Sequence, residues 1–198
     1  LLLQRRLLPL HGSAIETPAG AVIFAGPSGI GKSALAGAFY KRGYRVLADE
    51  VSTIAFDEHD VPVVLPAYPQ IMLWPDVIRE LGEEPTALER VRPHLEKYAL
   101  CIHDRFSGKS LRLHAVFALD TIMNTQNFSI ESVDSFEKFQ VFIHNTYRRH
   151  FLNGLGVKDI HFKQAVSAAE YAKVRRLRRS YDLSTLNDLV DRLEQDFI

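Results

Sequence analysis

The residues with the clearest chemical potential form a glycine-rich loop at positions 26–33, Gly-Pro-Ser-Gly-Ile-Gly-Lys-Ser. The loop fits the pattern G-x-x-x-x-G-K-[ST], which is typical of loops that hold nucleotide phosphates. Glycines allow left-handed backbone angles, so several N–H groups can turn towards one polyphosphate. Lys32 would bring a positive charge to the outer phosphates, and the Ser33 hydroxyl would be a Mg²⁺ ligand. The predicted nucleotide-binding residues are Gly26, Ser28, Gly29, Ile30, Gly31, Lys32 and Ser33.

Two elements must position this loop. Residues 21–25 are uniformly apolar and predict a buried strand that ends at the loop. Residues 34–39 predict a helix that begins at the loop and ends near Gly43. A chance glycine turn before an ordinary helix is the alternative, but the flanking strand and helix both favour a site for ATP or a similar polyphosphate.

An enzyme with such a loop also needs an acidic partner for the metal or for the attacking hydroxyl. Asp49 and Glu50 end the apolar segment 46–48, and Asp120 ends the apolar segment 115–119. Asp49 closes the strand that follows the loop helix, so we expect it near the loop and predict that it accepts the proton of the attacking hydroxyl. Asp49 and Glu50 are predicted to share Mg²⁺ with Ser33. Asp120 is the alternative, or simply a polar residue that opens a turn.

Histidine and arginine side chains supply the remaining candidates. His11 precedes the loop strand and is either an ordinary loop histidine or a group that touches phosphate or the attacking hydroxyl. Residues 173–179 carry five cations, and their alternation with apolar residues predicts an exposed strand edge. This edge is either a solvated face or a docking site for an acidic peptide or a phosphate. The candidate substrate-binding residues are Arg148, Arg176 and Arg179.

Hydrophobic periodicity predicts an α/β fold in a single domain over residues 1–198. Predicted strands cover residues 11–15, 21–25, 44–48, 51–56, 61–65, 71–73, 111–119 and 174–177. Predicted helices cover residues 1–8, 34–42, 75–81, 85–91, 135–152, 161–172 and 186–197.

Composition limits the classes of partner. Lysine plus arginine and aspartate plus glutamate both number 24, so no overall charge favours binding to nucleic acid or to an anionic membrane. The single cysteine, Cys101, cannot form an internal disulfide, which fits a cytoplasmic protein. No apolar run approaches the ~20 residues of a membrane-spanning helix.

The motifs resemble the kinase domain of the HPr kinase/phosphorylase family. The resemblance lies in His11-Gly12, in the glycine-rich loop, and in residues 41–50, where that family has Ala-Asp-Asp in place of Ala48-Asp49-Glu50. Residues 73–76, 96–97 and 145–148 are similar to the short HPr-kinase-related proteins, including those encoded beside lasso-peptide precursors. The resemblance implies the P-loop fold of the phosphoenolpyruvate-carboxykinase-like type, a bent mixed sheet flanked by helices.

The same resemblance implies an ATP- and Mg²⁺-dependent kinase that phosphorylates a serine of a peptide or small protein. A lasso-peptide precursor is the first expected acceptor and HPr the second, and a homo-oligomer is possible. The glycine-rich segment tied to phosphorylase activity is replaced by residues 68–74, so kinase activity carries over better than dephosphorylation. A non-catalytic ATP-binding regulator and a small-molecule kinase are the alternatives.

Overall fold

The computed structural model describes residues 1–122 and 128–197. Eleven strands are described: β1 (Leu8–Thr17), β2 (Gly20–Ala25), β3 (Val46–Ala48), β4 (Val51–Phe56), β5 (Pro62–Leu65), β6 (Gln70–Leu73), β7 (Glu89–Arg92), β8 (Leu95–Cys101), β9 (Leu111–Thr121), β10 (Ser129–Ser132) and β11 (Lys173–Arg179). The α-helices are α1 (Lys32–Lys41), α2 (Pro75–Glu80), α3 (Ser135–His144), α4 (Phe151–Gly154), α5 (Lys158–Tyr171) and α6 (Leu186–Asp196). Short 3-10 helices lie at Leu3–Arg5, Pro85–Ala87, His103–Arg105 and Leu183–Thr185.

The main sheet is mixed and has the order β10-β11-β9-β2-β1-β4-β5, with β3 paired to β1. Its central strands β2, β9 and β11 are parallel, so their carboxyl ends share one edge of the sheet. Strand β5 also pairs with β9. The strands β9, β2, β1, β4 and β5 therefore form a closed ring of hydrogen-bonded neighbours. A second, antiparallel sheet has the order β6-β8-β7. The predicted mixed α/β fold is confirmed, whereas the carboxykinase-like assignment stays a prediction.

Strand β1 changes partner at the position that places His11. Residues 8–11 of β1 pair with β4, and residues 12–17 pair with β2. Gly12 stands at this change, and a Cβ there would lie 2.8 Å from the carbonyl oxygen of Phe24. Because real Cβ atoms do not approach a backbone oxygen so closely, only glycine fits this crossing. His11 is thereby held beside the end of β2, and its carbonyl accepts a hydrogen bond from Gly26 N–H at 3.3 Å.

Apolar side chains cover both faces of the main sheet. On one face, α1 and α6 pack through the aromatic rings of Phe24, Phe39 and Phe197, with Phe24 stacked on Phe39 at 5.6 Å and Phe39 against Phe197 at 5.4 Å. On the other face, Phe142 of α3 and the alanines of α5 are buried. The glycine-rich loop therefore joins two elements, β2 and α1, that are each fixed by the core. This confirms the predicted strand before the loop and helix after it.

Three of the predicted helices are wrong in type or extent. Residues 1–8 contain only a 3-10 turn before Leu8 opens β1. Residues 85–91 form a 3-10 turn and then β7, because the alternating segment at 89–92 pairs with β8. The helix predicted over 135–152 ends at His144, where Thr146 forms an antiparallel bridge to Leu10 of β1.

The basic segment 173–179 is not at a sheet edge. Strand β11 lies between β9 and β10, so the prediction of an exposed strand edge is wrong. The strand that covers it, Ser129–Ser132, was not predicted, because a four-residue polar strand carries little periodicity. Among the described residues, no helix has the length and apolar character needed to cross a membrane.

Candidate active site

The glycine-rich loop opens into a pocket, here called the loop pocket. Gly29 and Gly31 take left-handed backbone angles, with φ of 83° and 101°. A residue with a side chain would be strained at these angles. The N-terminus of α1 follows at Lys32, so its N–H groups and positive dipole end face the same space. Further residues line the pocket: His11, Glu50, Met72, Leu73, Trp74, Asp76, Val77, Lys97, Arg179, Tyr181 and Leu183.

Lys32 is buried in the first turn of α1 and bonded to the loop itself. Its side chain is only 6% exposed, and its Nζ donates to the carbonyl oxygen of Pro27 at 2.7 Å. Burial lowers its pKa to about 8, because desolvation outweighs the attraction of Asp49. The charged form of Lys32 is therefore destabilised as long as no anion is bound beside it. A bound phosphate would relieve this destabilisation.

Asp49 reaches the loop as the sequence predicted, at the end of β3. Its Oδ1 accepts hydrogen bonds from the hydroxyls of Ser13 at 2.6 Å and Ser33 at 2.8 Å. Its Oδ2 accepts from the backbone N–H of Met72 at 2.8 Å. The carboxylate is therefore oriented by three elements, β1, α1 and β6, and lies directly against the last residue of the loop.

The pair formed by Ser33 and Asp49 fits a Mg²⁺ ion. A hydroxyl and a carboxylate oxygen 2.8 Å apart are hard oxygen ligands, and Mg²⁺ is commonly held by one or two such groups together with water and substrate phosphates. When bound, the ion would neutralise charge on the phosphate oxygens. The chain's own contribution is to hold both oxygens at the N-terminus of α1.

Glu50 follows Asp49 but points to a different partner. Its backbone is left-handed, with φ of 65°, which is uncommon for a residue other than glycine. Its carboxylate pairs with Lys97 Nζ at 3.0 Å, and Lys97 also lies over the ring of Trp74 at 5.9 Å. Glu50 therefore lines the pocket with its carboxylate paired to Lys97, and among the described residues no hydrogen bond joins it to Ser33. Lys97 belongs to a segment that carries the family resemblance, residues 96–97, but its position in the pocket depends on the pairing of β8 with β6, which the sequence does not predict.

His11 lies between the loop pocket and a second depression. Burial lowers its pKa, and the nearby positive charge of Lys32 acts in the same direction, so the ring is neutral near pH 7. The second depression, here called the side groove, is lined by His11, Gly26, Pro27 and residues 144–150. Its wall carries Arg148, whose guanidinium lies over Tyr147 at 5.5 Å, and exposed Arg149 and His150. His11 thus lines both spaces.

The other predicted charges are dispersed. Asp120 is exposed and its carboxylate lies 3.9 Å from Arg178. Arg176 is paired with Glu137 of α3 at 2.8 Å. Arg179 is buried against the glycine-rich loop instead of facing solvent. Of the three predicted substrate-binding arginines, only Arg148 lines the side groove.

No family model and no curated protein matches the chain. Among solved structures, the chain is similar to the Hpr(Ser) kinase/phosphatase from Coxiella burnetii, with 13% sequence identity over 95% of this chain and 94% of that chain and a TM-score of 0.47. These values do not assign the chain to a family, so the case for its function depends on the geometry of the site.

Proposed function

We propose that the chain is a kinase that binds ATP in the loop pocket and transfers a phosphoryl group to an acceptor in the side groove. One observation carries this proposal. Lys32, Ser33 and Asp49 meet at the end of β2, and His11 beside them borders both spaces. Phosphoryl transfer requires little covalent chemistry from a protein beyond positioning and charge stabilisation, and these residues supply both.

The loop pocket has groups that could bind both the phosphates and the base of a nucleotide. The backbone N–H groups of residues 28–33 and the Lys32 ammonium would hold the phosphates. Trp74, Val77, Tyr181 and Leu183 form an apolar and aromatic wall, against which a purine base could pack. ATP is therefore the ligand that we propose, with Mg²⁺ at Ser33 and Asp49.

Asp49 is the residue that we propose to take the proton of the acceptor hydroxyl. Its Oδ1 accepts hydrogen bonds from the hydroxyls of Ser13 and Ser33. When Ser33 turns towards the nucleotide, the hydroxyl of the acceptor can take its place as a donor to Oδ1. His11, neutral and next to the groove, would hold the acceptor in line with the loop. Glu50 would stay paired with Lys97 in the loop pocket and would not touch the acceptor.

The side groove favours a peptide or small protein over a small molecule as the acceptor. Its wall is exposed at His144, Arg148, Arg149 and His150, so an extended chain can lie along it. Following the family resemblance, we propose a serine as the phosphorylated residue, in a lasso-peptide precursor or, second, in HPr. The cations of the wall favour acidic residues near that serine.

This proposal predicts the kinetics of an acceptor-groove variant. Arg148→Glu combined with Arg149→Glu should raise the KM for an acidic serine peptide by about 10-fold or more, because it reverses two charges that meet the peptide. The KM for ATP should be unchanged, since neither residue lines the loop pocket. The measurement is mass-spectrometric detection of phosphoserine in such a peptide after incubation with Mg·ATP.

The matched control is Arg5→Glu combined with Arg6→Glu, which reverses the charges of two exposed arginines at the first 3-10 turn. If the control and the acceptor-groove variant raise the peptide KM equally, the effect comes from overall charge and the groove is not the acceptor site. Absence of phosphoserine with every peptide, while ATP still binds, would instead favour a nucleotide-binding regulator. In that case α6, which packs on α1 through Phe197 and Phe39, would be the element that responds to the nucleotide.

A further inference from the structure

Among the described residues, Arg179 is the most deeply buried charged side chain to which the proposed kinase reaction gives no role. It is the last residue of β11 and only 3% exposed. Since β11, β9 and β2 are parallel, the carboxyl end of β11 shares an edge of the sheet with the loop that follows β2. Ligands of open α/β sheets bind at this edge.

The guanidinium of Arg179 lies directly against Gly31 of the glycine-rich loop. A Cβ built on Gly31 would come within 3.1 Å of Arg179 Nη1. The absence of a side chain at position 31 therefore serves two purposes, because it permits a left-handed φ of 101° and leaves room for the guanidinium. Arg179 is also among the residues that line the loop pocket.

The described residues leave part of the Arg179 guanidinium without a hydrogen-bond acceptor. Arg179 Nε donates to the carbonyl oxygen of Ser180 at 3.0 Å, but Nη1 is fully buried and has no hydrogen-bond partner among the described residues. Burial lowers the pKa of Arg179, and the carboxylate of Asp182, which acts in the opposite direction, does not offset it. An unpartnered buried donor on a cation is costly, and a structural arginine would be expected to have a carboxylate or carbonyl there.

We propose that Arg179 is a nucleotide-phosphate ligand, which donates from Nη1 to a phosphate oxygen in the loop pocket. The inference rests on the proposed nucleotide site and deepens it. The last strand would thereby complete a two-cation clamp, with Lys32 as a point charge and Arg179 as a planar donor. The role differs from peptide docking, which the sequence suggested for this residue.

The test compares Arg179→Met with Arg178→Met. The neighbouring Arg178 has a half-exposed side chain and pairs with Glu131, so it provides a matched control on the same strand. Calorimetric titration should show that Arg179→Met weakens binding of both Mg·ATP and inorganic pyrophosphate by about 10–100-fold, the cost of a hydrogen bond to a charged group. Arg178→Met should change neither affinity by more than about 2-fold. Equal affinities for the parent and Arg179→Met would overturn the inference.

Two further measurements separate this role from a structural one. In the absence of ligand, Arg179→Met should keep a cooperative melting transition close to that of the parent, because it loses only the hydrogen bond from Nε to Ser180 and removes an unpartnered Nη1; a variant that no longer melts cooperatively would show a structural role and overturn the inference. In the unmodified protein, the ¹⁵N resonance of the Arg179 side chain should shift when pyrophosphate is added, and an unchanged resonance at saturation would also overturn it. A parent protein that binds neither ATP nor pyrophosphate removes the proposed function as well, which distinguishes the two failures.

Discussion

Asp49→Asn is expected to lower phosphoryl transfer by about 10²–10⁴-fold, the usual contribution of a general base. The substitution removes the charge and the proton-accepting oxygen of the carboxylate. It should leave the affinity for ATP within about 10-fold of the parent, because the loop and Lys32 still hold the phosphates. The measurement is the single-turnover rate with saturating ATP and peptide.

The hydrogen bonds of residue 49 can be kept in the Asp49→Asn variant. An asparagine can place its carbonyl oxygen towards Met72 N–H and its NH₂ group towards the oxygens of Ser13 and Ser33. Serine hydroxyls can accept as well as donate, so all three hydrogen bonds can be kept. We therefore expect the melting temperature to change little and any loss of activity to report on the missing charge.

Asp120→Asn is the control, since Asp120 also follows an apolar strand segment but is exposed, with its carboxylate 3.9 Å from Arg178. It should leave the single-turnover rate within about 2-fold of the parent. A larger loss for Asp120→Asn than for Asp49→Asn would transfer the role to Asp120 and remove the basis for the proposed mechanism.

Lys32→Met should lower the affinity for Mg·ATP by about 100-fold or more, because it removes a buried cation from the phosphate site. The same substitution should raise the stability of the ligand-free protein at neutral pH. Burial holds the pKa of Lys32 at about 8, below its value of 10.5 in an unfolded chain. The unfolded state then binds more protons between these two pH values, so keeping Lys32 charged destabilises the folded state below about pH 8.

The sign of this linkage provides a second readout. The free energy of unfolding of the parent should rise as the pH increases from about 8 towards 10.5, and Lys32→Met should abolish that rise. Lys41→Met is the matched control at the other end of α1, where the lysine pairs with Glu83 on the surface. A Lys32→Met variant that binds ATP as tightly as the parent would show that the nucleotide site is elsewhere.

The part of the site that the sequence predicts is the part built from adjacent elements. The strand, loop and helix around residues 26–33 and the acid at the end of the next strand follow one another along the chain, so local periodicity and turn chemistry are enough to locate them. Asp49 and Ser33 are accordingly found 2.8 Å apart.

The remainder depends on pairings between distant segments. Arg179 reaches the loop only because β11 adds in parallel to β9, and Lys97 reaches Glu50 through a separate sheet. Neither pairing leaves a local signal, so the run at 173–179 looked like an exposed edge. The helix predicted over 135–152 failed similarly, because the chain leaves α3 to bridge β1 and thereby forms the side groove.

The central claim is that the backbone of residues 26–33 holds the phosphates of ATP. Hydrogen–deuterium exchange of the peptide that spans these residues, measured with and without saturating Mg·ATP, tests it most directly. We predict that ATP slows exchange of the loop amides, since N–H groups bonded to phosphate are protected, whereas the β4–β5 hairpin at 51–65 is unaffected. Binding of ATP without any change in loop exchange would contradict the account.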